Sequence, residues 1–359
     1  MTSSVSPREL KTQNSTKKIV KILLQVVLMV GIFGALLWYV GIGSLYEALL
    51  TIKIEYLLLA FLMYFGINLL FTVRLRRVLA KDGIKTSFGK TLLAQYAGML
   101  TSDVTPGRSG YILTPVYLRD QNVPTSKSLS SILGIQTIEF LVKVVGGIGA
   151  VIFLIQIVPA QNWSLFGTFA GINLGLLIAG LGIALMLTGA ILLAAFTWSQ
   201  RAISLFDRIA NSRYLKRIAG GLIGKLEEYK ESAHKTRRAI PEITLLTFAC
   251  WILKGFEWYF LGLALGITQI PWIGYFLIHP LVTALAFVPI TPAGAGFQEF
   301  GIVGIFTTLL GVAAGPAIAF ALLSRVLLVV EDLVGVPQIA KSTSSLFFSR
   351  KLPDKPAVK

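Results

Sequence analysis

The chain has 359 residues, of which 55% are hydrophobic and 14% charged, with a mean hydropathy of +0.74. A soluble protein of this length carries about 25% charged residues, so a water-soluble globular domain, a disordered chain and a fibre are all excluded. The 33 Lys and Arg against 17 Asp and Glu give a net charge of +16, which raises nucleic acid as a partner until the positions of the bases are followed.

In chain order, residues 1–16 read as a basic, disordered tail, and residues 17–341 as one transmembrane domain. The first apolar run, 22–40, follows Arg8, Lys11, Lys17, Lys18 and Lys21. Its length and the lack of a small-residue cleavage site predict a span rather than a signal peptide. Further spans are predicted at 54–73, 129–158, 165–196, 243–267 and 317–336. At 1.5 Å per residue each covers a hydrocarbon core of about 30 Å, the run at 165–196 with length to spare. Two apolar regions, 88–118 and 272–310, are broken at their centres by Pro and Gly. Each is predicted to be a pair of half-helices that enters the bilayer and returns, a path tolerated where the backbone is buried or lines a polar cavity. The segment 197–240 mixes bases with apolar residues and is expected as an amphipathic cytoplasmic loop. Residues 342–359 are expected as a second disordered basic tail. The fold class is thus an all-α polytopic membrane protein with about six full spans and two re-entrant hairpins.

Six spans put both termini on one side, and 28 of the 33 bases fall on that side. The opposite side carries Lys53, and Arg108, Lys143, Lys254 and Arg325 lie within apolar segments. Positive charge marks the cytoplasmic side, so both termini are expected in the cytoplasm and the protein in the cell membrane. An anionic leaflet accounts for the net charge, and no nucleic acid is required. Cys250 is the single cysteine and His234 and His279 the two histidines, which supports neither a disulfide framework nor a metal site. No cofactor is expected.

The two breaks share a pattern. Val104-Thr105-Pro106-Gly107-Arg108-Ser109-Gly110-Tyr111 matches Ile290-Thr291-Pro292-Ala293-Gly294-Ala295-Gly296-Phe297. With one hairpin entering from each face, this predicts an inverted repeat around a midplane site. Thr-Pro suits a helix start, with Thr as cap and Pro in the first turn. The glycines leave N–H groups approachable, and a helix N-terminus favours an anion. Thr105, Pro106, Gly107, Arg108, Gly110, Thr291, Pro292, Gly294, Gly296, Glu299 and Arg325 are the predicted substrate-binding residues. The plain alternative is that Pro and Gly only let helices pack closely.

Embedded charges cost about 2.5–3.5 kcal/mol each on insertion scales, so they pair, face the interior or serve function. Glu139 with Lys143, and Lys254 with Glu257, have helical spacing and read as charge pairs or proton sites; Asp103 precedes the first motif. Arg108 and Arg325 have two readings: an anionic headgroup, or pairing with Asp103 and Glu299.

At these motifs the sequence resembles the lysylphosphatidylglycerol synthase transmembrane region. The likeness rests on the basic run leading to Thr105-Pro106-Gly107-Arg108, on Pro289-Ile290-Thr291-Pro292-Ala293-Gly294-Ala295-Gly296-Phe297-Gln298-Glu299, and on Leu322-Leu323-Ser324-Arg325. It departs at Tyr111, where an acid is frequent, at Gln136 and Thr137, where an Arg is usual, and at Ala293, where Gly is common. The resemblance implies a flippase that moves a phospholipid or isoprenoid-linked lipid between leaflets. It also implies that the aminoacyltransferase activity of bifunctional members belongs to a domain this sequence lacks. The expected partners are membrane lipids with anionic headgroups, and a homo-oligomer is left open. Two rivals stand: a membrane-embedded lipid-modifying enzyme, which needs a nucleophile–base pair or acidic metal cluster not legible here, and a non-catalytic assembly protein, which has no need of embedded charge.

Overall fold

The computed structural model describes residues 41–159, 162–163, 167–169, 172–199, 228–287 and 291–348, with isolated positions between 31 and 38. The predicted first span, most of the cytoplasmic loop and the end of the C-terminal tail lie outside them. The helices are α1 (Ile42–Leu50), α2 (Ile54–Lys81), α3 (Phe88–Asp103), α4 (Thr114–Tyr117), α5 (Thr125–Ile157) and α6 (Leu174–Trp198). They continue with α7 (Glu228–Arg237), α8 (Ile240–Ala264), α9 (Trp272–Ala286), α10 (Phe297–Gly304), α11 (Ala314–Asp332) and α12 (Val336–Phe348).

Among the described residues, α2, α5 and α6 are long and apolar enough to cross a membrane, and the pair α7–α8, bent by 69°, is a fourth when counted as one. Several predicted boundaries move for identifiable reasons. The run at 165–196 does not need steep tilt. A two-residue antiparallel ladder, Thr168–Phe169 with Ile172–Asn173, takes up its start, and Asn173 then caps α6 by accepting the Leu176 N–H. α2 continues to Lys81, so Arg74 lies inside the helix and buried, not in a cytoplasmic loop. α12 carries helix to Phe348, which corrects the tail expected to be disordered from residue 342.

The second broken region is a pair of short helices as predicted, with α10 running on through a wider turn to Leu309. The first is not. After α3 the chain makes a 3₁₀ turn at Ser109–Leu113, the single turn α4, and another 3₁₀ turn at Arg119–Gln121. Pro115 cannot donate to a helix arriving from Gly110, and Asn122 at φ 58° ends the series, so no second half-helix forms.

Two larger apolar clusters, with two smaller ones beside them, hold the helices. One gathers Trp258, Tyr275, Phe306 and Phe320 from α8, α9, the end of α10 and α11. The other gathers Leu75, Ala94, Leu118 and Ile132 from α2, α3, the turns after α4 and α5. Close approach depends on small residues, as expected between membrane helices. A Cβ on Gly146 of α5 would stand 2.7 Å from the Pro280 ring and 2.7 Å from Trp251, and one on Gly315 2.6 Å from the Ser44 carbonyl of α1.

Candidate functional site

Thr105 and Thr291 begin two turns of the same conformation. In the first, Gly107 and Arg108 are left-handed at φ 59° and 54°; in the second, the matched Ala293 and Gly294 are left-handed at 44° and 65°. The hydrogen bonds match as well. Arg108 N–H donates to the Thr105 carbonyl at 3.2 Å, as Gly294 N–H does to Thr291 at 3.2 Å. Ser109 N–H reaches Pro106 at 3.3 Å, as Ala295 N–H reaches Pro292 at 2.8 Å. Left-handed geometry costs an L-residue about 1–2 kcal/mol, so its recurrence at two matched positions, each filled by a non-Gly residue in one of the copies, is not an accident of composition. The two turns also touch. Pro106 and Pro292 form an isolated antiparallel bridge, with Ala293 N–H donating to the Thr105 carbonyl at 2.9 Å. The internal repeat read in the sequence is therefore a pair of equivalent turns back to back.

The turns do not use Thr-Pro as helix starts. Thr105 closes α3 instead, its hydroxyl placed 3.0 Å from the Thr101 carbonyl while it accepts the Gly110 N–H at 2.7 Å. In the second copy α10 begins at Phe297, and Glu299 reaches back to take the Gly296 N–H at 2.6 Å. The N–H groups of Gly110 and Gly296 are thus satisfied by the protein itself. Gly110 and Gly294 are required by packing: a Cβ would lie 2.3 Å from the Thr101 carbonyl in the first case and 2.4 Å from Ala286 Cα in the second.

Both embedded arginines have acid partners. Arg108 Nη2 lies 2.6 Å from Asp103 Oδ1. Arg325 is paired through Nε with Glu299, the same carboxylate that holds Gly296, and its Nη2 lies 3.4 Å from Gln298 Oε1. Their surroundings differ. Arg325 braces the second turn, whereas Arg108 lines a cavity of about 90 Å³ where the two apolar clusters meet.

Four cations wall that cavity: Arg74, Arg108, Lys143 and Lys254. Glu139 sits between two of them, 3.1 Å from Arg74 Nη2 and 2.8 Å from Lys143 Nζ. Lys254 Nζ lies 2.6 Å from Glu257 and 4.7 Å from the centre of the Tyr64 ring. Arg74 also donates to Thr247 Oγ1 at 2.8 Å. His279 lines the same cavity, its Nδ1 buried with no partner among the described residues. The predicted Asp103, Glu139, Lys143, Lys254 and Glu257 thus converge on or beside Arg108, while Glu299 and Arg325 stand apart with the second turn. Arg74, Tyr64 and His279 were missed. Of the polar residues spaced four apart on α2, Tyr64 lines the cavity, whereas Asn68 turns to Glu331 at 3.2 Å and Thr72 to the Asn68 carbonyl at 2.9 Å.

A second, apolar cleft of about 510 Å³ opens beside the second turn, between α5, α6, α9 and α10, with Leu154, Ile178, Leu285 and Phe300 on its walls. Among the described residues no group of three His, Cys, Asp or Glu is placed to hold a metal ion.

Comparison with known proteins agrees with this architecture. The family described as the lysylphosphatidylglycerol synthase TM region matches residues 22–331. A UPF0104 membrane protein of Pyrococcus horikoshii is 24% identical over 302 residues, covering 81% of this chain and 88% of the relative.

Proposed function

Because the chain belongs to the lysylphosphatidylglycerol synthase TM region family and is a membrane protein, we propose that it moves an anionic phospholipid or isoprenoid-linked lipid between leaflets. The observation that carries this reading is the cavity: four cationic side chains around about 90 Å³, bounded by apolar helices. Buried cations in a membrane protein are expensive, and one carboxylate, Glu139, is shared by two of these four, Arg74 and Lys143. An anion beside them adds a second counter-charge. The volume suits a phosphate-sized group or a few waters. Arg108 offers a planar fork of donors, and the lysines supply point charge.

In this reading the headgroup phosphate takes Arg108 at the meeting of the two turns, and the lipid tails stay in apolar surroundings such as the 510 Å³ cleft. In this reading the two turns are reached from opposite faces of the membrane, with the termini in the cytoplasm and the protein in the cell membrane. Arg325 and Glu299 keep the second turn in shape and do not touch the headgroup. The protein acts as a transporter and not as a lipid-modifying enzyme.

The test is reconstitution in phosphatidylcholine vesicles with a trace of fluorescent phosphatidylglycerol, followed by quenching of the outer leaflet. Loss of the protected inner-leaflet signal in protein-containing vesicles, with no new lipid species, supports transport. Chemical conversion of the lipid would replace this reading with the enzyme. An unchanged lipid that keeps its leaflet would refute it.

A further inference from the structure

The charged side chains on the cavity wall are each paired, and its histidine is not. His279 sits on α9 directly before Pro280 and is 8% exposed. Pro280 cannot donate to the Phe276 carbonyl, so Trp251 Nε1 donates there at 2.6 Å and ties α9 to α8. The His279 ring meets that of Trp258 edge to face, with centroids 4.8 Å apart and planes at 87°. Neither ring nitrogen has a hydrogen-bond partner among the described residues. Nδ1 is sealed, which leaves Nε2 as the nitrogen open to the cavity. A ring buried in this way gains from any ligand that bonds to Nε2.

The rest of the wall narrows the chemistry of that ligand. Lys143 gives one N–H to Glu139 and keeps the others, and Arg108 likewise gives one to Asp103. The acceptors are engaged: Glu139 takes Lys143 on Oε1 and Arg74 on Oε2, and Thr247 takes Arg74. What remains free is mainly N–H, which calls for a ligand rich in acceptor oxygens. Between the polar groups stand Ile67, Phe71, Met99, Val142 and Leu328. A space of about 90 Å³ takes a phosphate, but a glycerol or sugar esterified beyond it would press its hydroxyls against these apolar side chains. Charge alone does not choose between a phosphodiester and a phosphomonoester; the histidine does. A phosphomonoester exchanges a proton near neutral pH, where it carries a charge of about −1.5 to −2. A neutral imidazole donates from Nε2 to its ionised oxygen in one tautomer and accepts from its P–OH in the other. A diester has no such proton to offer.

We propose that His279 reads a terminal phosphate, so that the lipid moved is a phosphomonoester whose one ester oxygen leads into apolar surroundings. The proposal rests on the transport reading above and narrows its substrate. Arg108 and Lys143 hold the charge of the phosphate, and His279 sets its specificity by bonding to an oxygen that a diester would spend on its headgroup alcohol.

Phosphatidylcholine vesicles with a trace of fluorescent phosphatidate, or of fluorescent phosphatidylglycerol with the same tails, test this as protein-dependent exchange above that of empty vesicles. The wild type should move phosphatidate at least about tenfold faster, the weight of one hydrogen bond to a charged group. His279→Phe keeps a ring against Trp258 without the nitrogens and should erase the difference between the two lipids. His279→Gln restores a donor and an acceptor and should return part of it. Equal rates in the wild type, or a preference that survives His279→Phe, would overturn the proposal and leave the transport reading standing. No movement of either lipid would overturn the transport reading and the substrate assignment with it. Calorimetry on the wild type in detergent needs no variant to fold. Dihexanoyl phosphatidate should bind at least about tenfold more tightly than dihexanoyl phosphatidylglycerol and than inorganic phosphate. Equal binding of the two lipids would overturn the role of the terminal phosphate, and equal binding of inorganic phosphate would assign the cavity to the free ion and overturn the lipid.

Discussion

The turns at Thr105 and Thr291 share a backbone and differ in charge. In the first, the second left-handed position carries Arg108, whose side chain reaches the cationic cavity. In the second the same position is Gly294, pressed against the backbone of α9. The Gly110 N–H is held by the neutral hydroxyl of Thr105, whereas the matched Gly296 N–H is held by Glu299, itself fixed by Arg325. A duplicated turn has thus been divided between two tasks. One copy turns its charge toward a ligand-sized space, and the other spends its charge on its own shape.

The largest expected effect is Gly294→Ala. Ala293 shows that a methyl group tolerates the left-handed backbone, so the damage comes from contact: a Cβ 2.4 Å from Ala286 Cα and 2.6 Å from the Leu285 carbonyl. We expect a loss of about 3–5 kcal/mol, read from thermal unfolding in detergent. Arg108→Ala with Asp103→Asn, which leaves no stranded carboxylate, should unfold close to the wild type, and damage equal to that of Gly294→Ala would dissolve the distinction between the turns.

Arg325→Ala comes next. It strands Glu299 as a buried, unpaired charge, for a cost of about 3–5 kcal/mol. Arg325→Ala with Glu299→Gln should recover most of that stability, because a neutral amide tolerates burial better than a lone carboxylate. Failure of the double variant to recover would move Arg325 from bracing to binding.

Arg108→Ala should slow leaflet exchange of fluorescent phosphatidylglycerol at least about tenfold, the loss of one charge-assisted contact of 1.5 kcal/mol or more. Arg108→Lys keeps the charge without the fork and should lie between the two. Exchange at the wild-type rate in a well-folded Arg108→Ala protein would remove the first turn from the site. The smallest effect is a gain: Ala293→Gly relieves the left-handed strain and should stabilise by about 0.5–1 kcal/mol, with transport unchanged.

Much of this contrast is legible in the residues. The repeat of Thr-Pro is visible, but the pairing of Arg108 with Asp103 and Arg325 with Glu299 shows only as the alternative to headgroup binding, which the lack of an acid one helical turn from each Arg favours. What fails to show is which atoms satisfy which. Thr-Pro looks like a helix start, but the left-handed pair after it turns the chain before a helix can form, and that geometry appears only when Ala293 and Arg108 are seen at positive φ. Arg74 is hidden for a different reason. Arg76, Arg77 and Lys81 follow it so closely that the run reads as a loop, although α2 continues to Lys81 and puts Arg74 two turns inside. The first hairpin's return limb misleads because apolar composition cannot report that Pro115 divides it into single turns.

The bridge between Pro106 and Pro292 has a mechanical meaning. Neither residue has an N–H to give, and the next residues in both segments curl into left-handed turns, so the pairing stops after one rung. A ladder of several rungs would weld the two halves along a line and fix their mutual tilt. A single rung, worth about 1 kcal/mol net, behaves as a pivot: it pins one point of each half to the other and leaves the angle between them to the helices that surround it.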